Sequence, residues 1–321
     1  MICIKRQRGV ALITALMIVA IAVILASSLL EELHLERQRT YNIIHNEQAY
    51  LYTLGAEIIA TRGLNLDREN NKFDSLNEIW AQPTPPYPVE GGHIAAVLED
   101  LQGRFNLNNL SPTLNNNYQL DLERFKRLLS TLELDPQLAD AVVDWIDDDM
   151  ITTIPNGAED DYYMGLLKPY RAANGLMASP SELRSVKGFN EENIYETIEP
   201  FICALPVISS ININTASAEM LQSISADITA DDVQSIIAYR DGDLEKEDEG
   251  TSFEELDNFK NYMKTTLNKK NFATDGMTIA TEYFLLKSYA EIGRGKVQLF
   301  SILQRDDKGN SHILSRSQGA W

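Results

Sequence analysis

The chain has 321 residues, 28 Lys+Arg against 47 Asp+Glu, a formal net charge of −19 and 44% apolar residues. That length and apolar content allow one large domain or two ordinary ones with real cores, and exclude wholesale disorder. The charge argues against a general polyanion binder, which needs Lys and Arg to neutralise phosphates, and two cysteines, Cys3 and Cys203, exclude a disulfide-dense scaffold or a multi-Cys zinc site.

The N-terminus carries Lys5, Arg6 and Arg8, then Gly9, then VALITALMIVAIAVILASSLL from Val10 to Leu30, which contains no charge. A helix over that stretch is about 31 Å long, enough to cross a bilayer core. Basic residues before it and Glu31-Glu32 after it place the N-terminus in the cytoplasm and the rest of the chain across the membrane. Three readings fit. One is a cleaved secretory signal, for which Ala26-Ser27-Ser28 is a weak site. The second is a plain signal anchor. The third is a leader cut on the cytoplasmic side after Gly9, which leaves the apolar helix on a mature chain starting at Val10; Arg8-Gly9-Val10-Ala11-Leu12-Ile13 resembles such a type IV prepilin site.

Helical composition continues past the apolar run. No proline occurs before Pro83, Gly55 is the one glycine between Val10 and Arg62, and Gly63 is a plausible C-cap. A continuous helix to Arg62 spans about 80 Å. Beyond Leu33, Ile43, Ile44, Leu51, Leu54, Ile58 and Ile59 recur at helical spacing. The pattern suits an anchor plus a core helix, or one long helix whose upper half packs on a sheet and whose lower half packs on partner helices.

Trp80 to Gly92 reads as a proline-rich, exposed linker. Strands are expected at 93–98 and 103–107, and again at 283–292, 296–304 and 311–315, the last three separated by Gly293-Arg294-Gly295 and by 306–310 as hairpin turns. Between the two strand groups, 120–132, 136–147, 179–186, 217–225 and 230–239 read as short helices, several with Ser, Thr or Asp caps. Residues 112–276 hold 31 acids and 13 Lys+Arg, nearly the whole acid excess. The expected fold is α+β: a long N-terminal helix packed on an antiparallel sheet, with a large α-helical domain inserted between strands. Its expected limits are 1–9 leader, 10–31 transmembrane helix, 32–111 first part of the sheet domain, 112–276 acidic insert and 277–321 C-terminal strands.

Inside the insert, Asp144, Asp147, Asp148, Asp149, Glu159, Asp160 and Asp161 fall within 18 residues, and no Lys or Arg lies between Leu128 and Leu167. Asp144, Asp147 and Asp148 would share a helix face. Such carboxylates are either a solvated acidic face or the ligands of a hard cation, which takes six to eight oxygens. No EF-hand string is present. A second acidic run, 241–249, reads as a solvated loop. No GxSxG, P-loop, GxGxxG or HExxH occurs, so catalysis is not expected.

The order of RGVALITALMIVAIA, NEQAYLYTLGAE, LADAVVDWIDDD, GAEDDYYMGLLKPYRAANG with SPSELRSVKGF, and ININTASAEML resembles the minor pseudopilin K family of bacterial type II secretion systems over the whole chain. The resemblance implies cleavage between Gly9 and Val10 by prepilin peptidase, methylation of the new N-terminus, and single-pass insertion in the inner membrane with the C-terminal domain in the periplasm. It also implies an inner-membrane assembly platform, minor pseudopilins I and J as partners, and a place at the pseudopilus tip that supports export of folded proteins. Thr14, fifth residue of the mature chain, stands where most pilins carry Glu; family K is similar in lacking it. A carboxylate in hydrocarbon is costly unless paired, and a subunit with none beyond it need not supply that partner. The resemblance further implies calcium in the helical insert, with Asp147, Asp149, Glu159 and Asp160 as candidate ligands. The alternative reading comes from 211–242, which resembles the helix-hairpin-helix of DNA-uptake receptors. There the hairpin reads Ser225-Ala226-Asp227-Ile228-Thr229, with no glycine pair to approach phosphate, so no nucleic-acid partner is expected.

Overall fold

The computed structural model describes residues 10–82, 85–191, 193–242, 250–306 and 308–319. The leader 1–9 with Gly9, and 243–249 of the second acidic run, lie outside the described residues.

Helix α1 runs unbroken over Val10–Asn70, about 92 Å. It does not stop at Gly63. That residue lacks the positive φ of a C-cap glycine, and the next residue, Leu64, is fully buried against Phe284, Leu286 and Leu303. Burying one Leu is worth about 1.5–3 kcal/mol, more than the roughly 1 kcal/mol that a helical glycine costs, so the helix continues for two more turns.

The C-terminal half of α1 lies on a five-stranded antiparallel sheet. Its strands are β1 (Tyr87–Val89), β2 (Gly92–Asp100), β7 (Tyr283–Ile292), β8 (Gly295–Arg305) and β9 (Ser311–Gln318), in the order β1-β2-β7-β8-β9. The proline-rich linker thus contributes an edge strand, the position where a strand tolerates Pro88. Residues 103–107 do not join this sheet: β3 (Phe105–Asn106) pairs in parallel with β4 (Ile202–Cys203) instead.

The helix meets the sheet through its small residues. Ala49, Thr53, Ala56 and Ala60 are buried, together with Leu64. The larger apolar residues Ile43, Ile44, Leu51, Ile58 and Ile59 point outward and are all exposed, contrary to a reading of that stripe as the sheet-facing side. Close approach of a helix axis to a sheet leaves no room for branched side chains, so alanine wins that face. At the lower end of the sheet the β7–β8 turn abuts α1: Gly293 has φ +55, and a Cβ there would run into the His45 ring. Higher up, the buried Glu57 accepts from Ser301 Oγ at 2.6 Å and from Arg316 Nε and Nη2 at 2.8 Å each, tying α1 to β8 and β9.

A helical body fills the interval between β2 and β7. Its elements are α2 (Tyr118–Thr131), α3 (Leu138–Ile146), α4 (Asp160–Met164), α5 (Ile194–Ile198), α6 (Ala218–Ser223), α7 (Ala230–Asp241) and α8 (Leu256–Thr265), with the short pairs β3–β4 and β5 (Ile211–Asn212)–β6 (Met277–Thr278). One large core unites it, from Phe105 and Phe125 through Trp145 and Tyr163 to Phe259 and Met263. The expected helix at 179–186 is a 3-10 turn over Pro180–Ser185, closed by a Ser179–Glu182 capping box. Helix α8 escaped the sequence reading because it buries only Phe259 and Met263 on an otherwise polar surface.

The body meets the sheet through an apolar cluster of Leu101, Cys203, Leu205, Tyr283, Leu285 and Phe300 and, beside it, through a polar junction. Asp100, at the end of β2, accepts from Gln102 N at 2.6 Å, Asn212 Nδ2 at 2.9 Å, and the hydroxyls of Thr215 and Thr281 at 2.5 Å. Asn212 Nδ2 also reaches the Asp74 carbonyl, and Thr281 N donates to the Asp74 carboxylate at 2.7 Å. Arg305, on β8, donates to both Asp74 oxygens at 2.8 and 3.1 Å. This junction lies just past the C-terminal end of α1, opposite the apolar segment 10–30. The helical body therefore grows from the pole of the sheet farthest from the apolar end of the helix.

Beside it, Asp67 faces Glu78. Burial first, then the Glu78 and Asp74 charges, push Asp67 up to about 7, against the opposing pull of Arg305. A carboxyl raised in the folded state stabilises fully below its unfolded value near 4, and that contribution is lost as pH rises through about 7. The protein should therefore lose thermal stability between about pH 4 and pH 7 and lose no more from this group above that, and Asp67→Asn should flatten that decline. Parallel pH profiles for the two proteins would rule out Asp67 as its source.

Candidate functional site

Every residue of α3 is buried, and the helix ends at Ile146. Asp147 caps it with extended backbone, φ −71 and ψ 169, so Asp144, Asp147 and Asp148 do not continue along one helix face. The chain loops out instead and returns at Glu159, the N-cap residue of α4. Asp147, Asp149 and Glu159 then each offer a carboxylate oxygen within 4.8 Å of the other two. Asp147 is 6% exposed and Glu159 4%. Asp147 Oδ1 and both Glu159 oxygens are buried without a hydrogen-bond partner.

The electrostatics follow from that geometry. Burial, then repulsion from Asp149 and Asp144, pushes Asp147 up to about 6. Burial, then Asp144, Asp147 and Asp149, pushes Glu159 up to about 7. Converging, unpartnered carboxylate oxygens suit a hard divalent cation, and the residues present fit calcium, whose remaining positions carbonyls and waters can fill. Asp144, fully buried, closes the loop from inside: its two oxygens each lie 3.1 Å from Thr153 N. Gly157 is required there, because a Cβ would collide with the Asp144 carboxylate and the Thr153 backbone. Asp160 is not gathered into the trio. Its Oδ1 accepts from Ala172 N at 3.0 Å and its Oδ2 lies 3.7 Å from Arg171 Nε.

Asp67, Asp74 and Glu78 form a second close trio, of a different kind. Glu78 already accepts from Asn71 Nδ2, Ser75 N and Trp80 Nε1, and Asp74 from Arg305 and Thr281. Protein donors fill the places a cation would need.

The other sequence candidates have plain structural surroundings. Thr14 Oγ1 lies 3.1 and 3.0 Å from the carbonyl oxygens of Val10 and Ala11, so its hydroxyl is satisfied within the helix. In the 211–242 region, Thr229 forms a capping box with Asp232 at the start of α7. Lys269 bridges the Asp227 carbonyl and the Asp232 carboxylate, so the hairpin is packed against a neighbouring segment. Cys203 is buried, donates to the Leu101 carbonyl, and has its thiol pushed up to about 12 by burial, which suits packing and not redox chemistry. Val10–Asn70 contains a window of mean hydropathy 2.9 with none of it buried, long and apolar enough to cross a membrane.

Comparison with known proteins gives a consistent answer. The family described as type II secretion system (T2SS), protein K, matches residues 103–207 and 211–277. A type II secretion system protein K from Aeromonas hydrophila is 31% identical, covering 98% of each chain. Another from Pseudomonas aeruginosa is 33% identical over 98% of this chain and 94% of that one. A crystal structure of the GspK-GspI-GspJ complex from enterotoxigenic Escherichia coli contains a chain with TM-score 0.72 and 25% identity, covering 88% of this chain and all of that one. Fold, membrane-length helix and full-length similarity coincide, and the chain belongs to the type II secretion system protein K family of minor pseudopilins.

Proposed function

We propose that this protein stands at the tip of a type II secretion pseudopilus, where it initiates or caps assembly with minor pseudopilins I and J and so supports export of folded proteins across the outer membrane. One observation carries the reading: the helical body grows from the Asp100 junction, at the pole of the sheet opposite the apolar end of α1. A subunit stacked above would meet that body. Thr14 adds to this, since a terminal subunit has no further N-terminal amine to pair with. In this reading prepilin peptidase cuts after Gly9, the new N-terminus at Val10 is methylated, α1 crosses the inner membrane once, and the C-terminal domain is periplasmic, fed by the inner-membrane assembly platform.

Partner helices have a surface to use. Leu51 and Ile58 stand seven residues apart, 64% and 73% exposed, on the side of α1 that the sheet leaves uncovered. A solved complex of a relative with GspI and GspJ makes those two subunits the natural occupants. Leu51→Asp with Ile58→Asp should abolish co-purification with minor pseudopilins I and J while shifting the stability of the isolated protein by no more than about 0.5 kcal/mol. Retention of both partners by the double variant would remove this surface from the assembly. Gly9→Asp should leave a precursor retaining its leader and stop secretion; normal processing and export would sink the prepilin assignment.

The carboxylate trio is read as a structural calcium site, with Asp147, Asp149 and Glu159 as ligands and Asp160 as an outer neighbour. Calcium would supply the positive charge that lets all three ionise together. Because Asp147 and Glu159 are raised, the cation-free site adds its full stability only below about pH 4, and that contribution is lost between about pH 4 and the raised values of about 6 for Asp147 and about 7 for Glu159. Unfolding in chelator should therefore become easier over that range, and calcium should restore stability by about 2.7 kcal/mol at a hundredfold excess over its dissociation constant. Asp149→Ala with Glu159→Ala should erase the calcium increment; no calcium effect on the unmodified protein at neutral pH would refute the site.

A further inference from the structure

We propose that Lys187 is a positioning residue for this cation site: its ammonium clamps the ligand loop from outside and fixes the backbone that delivers Glu159. The proposal rests on the calcium reading above.

Lys187 follows the Pro180–Ser185 turn and the buried Val186, which anchor its base in the core. Its Nζ donates to the carbonyls of Asn156 at 3.2 Å and Gly157 at 3.1 Å. Its backbone N donates to the hydroxyl of Tyr163 at 3.3 Å, and its Nζ sits 5.2 Å from the centre of the Tyr162 ring. Glu159 lies between those two attachments. One lysine therefore holds the peptide just before the ligand and the helix turn just after it.

The choice of acceptors matters. Among the described residues Lys187 makes no salt bridge within 4 Å, although seven acids lie in residues 144–161, the segment whose carbonyls it holds. Its proton donors end on carbonyls, so it does not occupy the trio as a substitute cation. Asp144 and Thr153 close the loop from within, Gly157 leaves no space for a side chain between them, and Lys187 closes it from outside. Mutually repelling carboxylates tend to spread apart, and a loop held shut beforehand spares the cation the cost of ordering it.

This role predicts an effect opposite in sign to simple electrostatics. A positive charge near a cation site should weaken binding, so removing it should strengthen calcium affinity. A clamp predicts the reverse. Calcium titration of the full-length protein in detergent, with Lys187→Met, should show affinity falling by about 10- to 100-fold, as for other residues that orient metal ligands. Lys187→Arg, which keeps charge and donors, should recover most of it. Lys187→Gln, neutral but still an N–H donor, should fall between and serves if the methionine variant does not fold. Unfolding in chelator separates a lost clamp from general damage: the clamp affects calcium affinity beyond any change in the empty protein. Affinity in Lys187→Met or Lys187→Gln equal to or tighter than in the unmodified protein overturns the clamp while leaving the calcium site standing. No calcium heat from the unmodified protein, with Glu159→Gln indistinguishable from it, overturns both.

Discussion

The buried carboxylate of Asp100 is the constraint on which the architecture turns. The chain leaves the sheet at the end of β2 and re-enters at β7, and both crossings meet at this residue. Its partners are one backbone N–H, one amide and two hydroxyls. Burial pushes its carboxyl upward and those hydrogen bonds oppose the shift. Removing such a group leaves several buried donors unsatisfied at once, each costing about 1–3 kcal/mol. The donors come from Gln102, Asn212, Thr215 and Thr281, so the network is complete only when the helical body has folded and closed back on the sheet. Asp74 extends it to the end of α1 through Asn212, Thr281 and Arg305. Sheet, helix and inserted body thus share one set of hydrogen bonds, which gives the body a defined direction from the pole of the sheet.

That direction, combined with α1, explains how one helix serves two surfaces. The sheet requires close approach and takes mostly alanine and threonine positions, with Leu64 at the upper end. Ile43, Ile44, Leu51, Ile58 and Ile59, left outside, form an apolar face that no element covers among the described residues. The sequence pattern of α1 was readable as helix from end to end, because period and proline absence are local properties. Which stripe meets the sheet was not readable from hydrophobicity, because packing distance and not apolar content decides it. Glu57 makes the same point: a charged residue in a polar-looking stretch is buried, and its justification lies in Ser301 and Arg316, some 250 residues away.

The acidic loop was partly legible. Density of carboxylates without lysine or arginine marked the segment, and three of the four candidates do converge. A helical face does not continue through Asp147 and Asp148, since the chain turns at Asp147 and the cluster is built by loop closure. Asp160 could not be separated from Glu159 by sequence, because the difference is made by Ala172 N, a backbone donor from a later turn. Asp144 and Lys187 carry no motif of their own. Their roles come from Thr153 N and from the carbonyls of Asn156 and Gly157, which only a folded loop presents.

A cation at that loop would act as part of the fold more than as a sensor. Glu159 is almost fully buried, and both of its oxygens lack protein donors. In the absence of a cation, the protein near neutral pH must either hold a proton there or accept repulsion among Asp144, Asp147, Asp149 and Glu159. The loop rests against Trp145, Tyr163 and Tyr170, whose rings stack edge and face on one another, and through Trp145 and Tyr163 against the main core of the body. Repulsion among those carboxylates would therefore act on packing that α3 and α4 share. Cation-binding free energy in excess of the cost of ionising Glu159 would become stability of the whole helical body, the body that the Asp100 junction ties to the sheet.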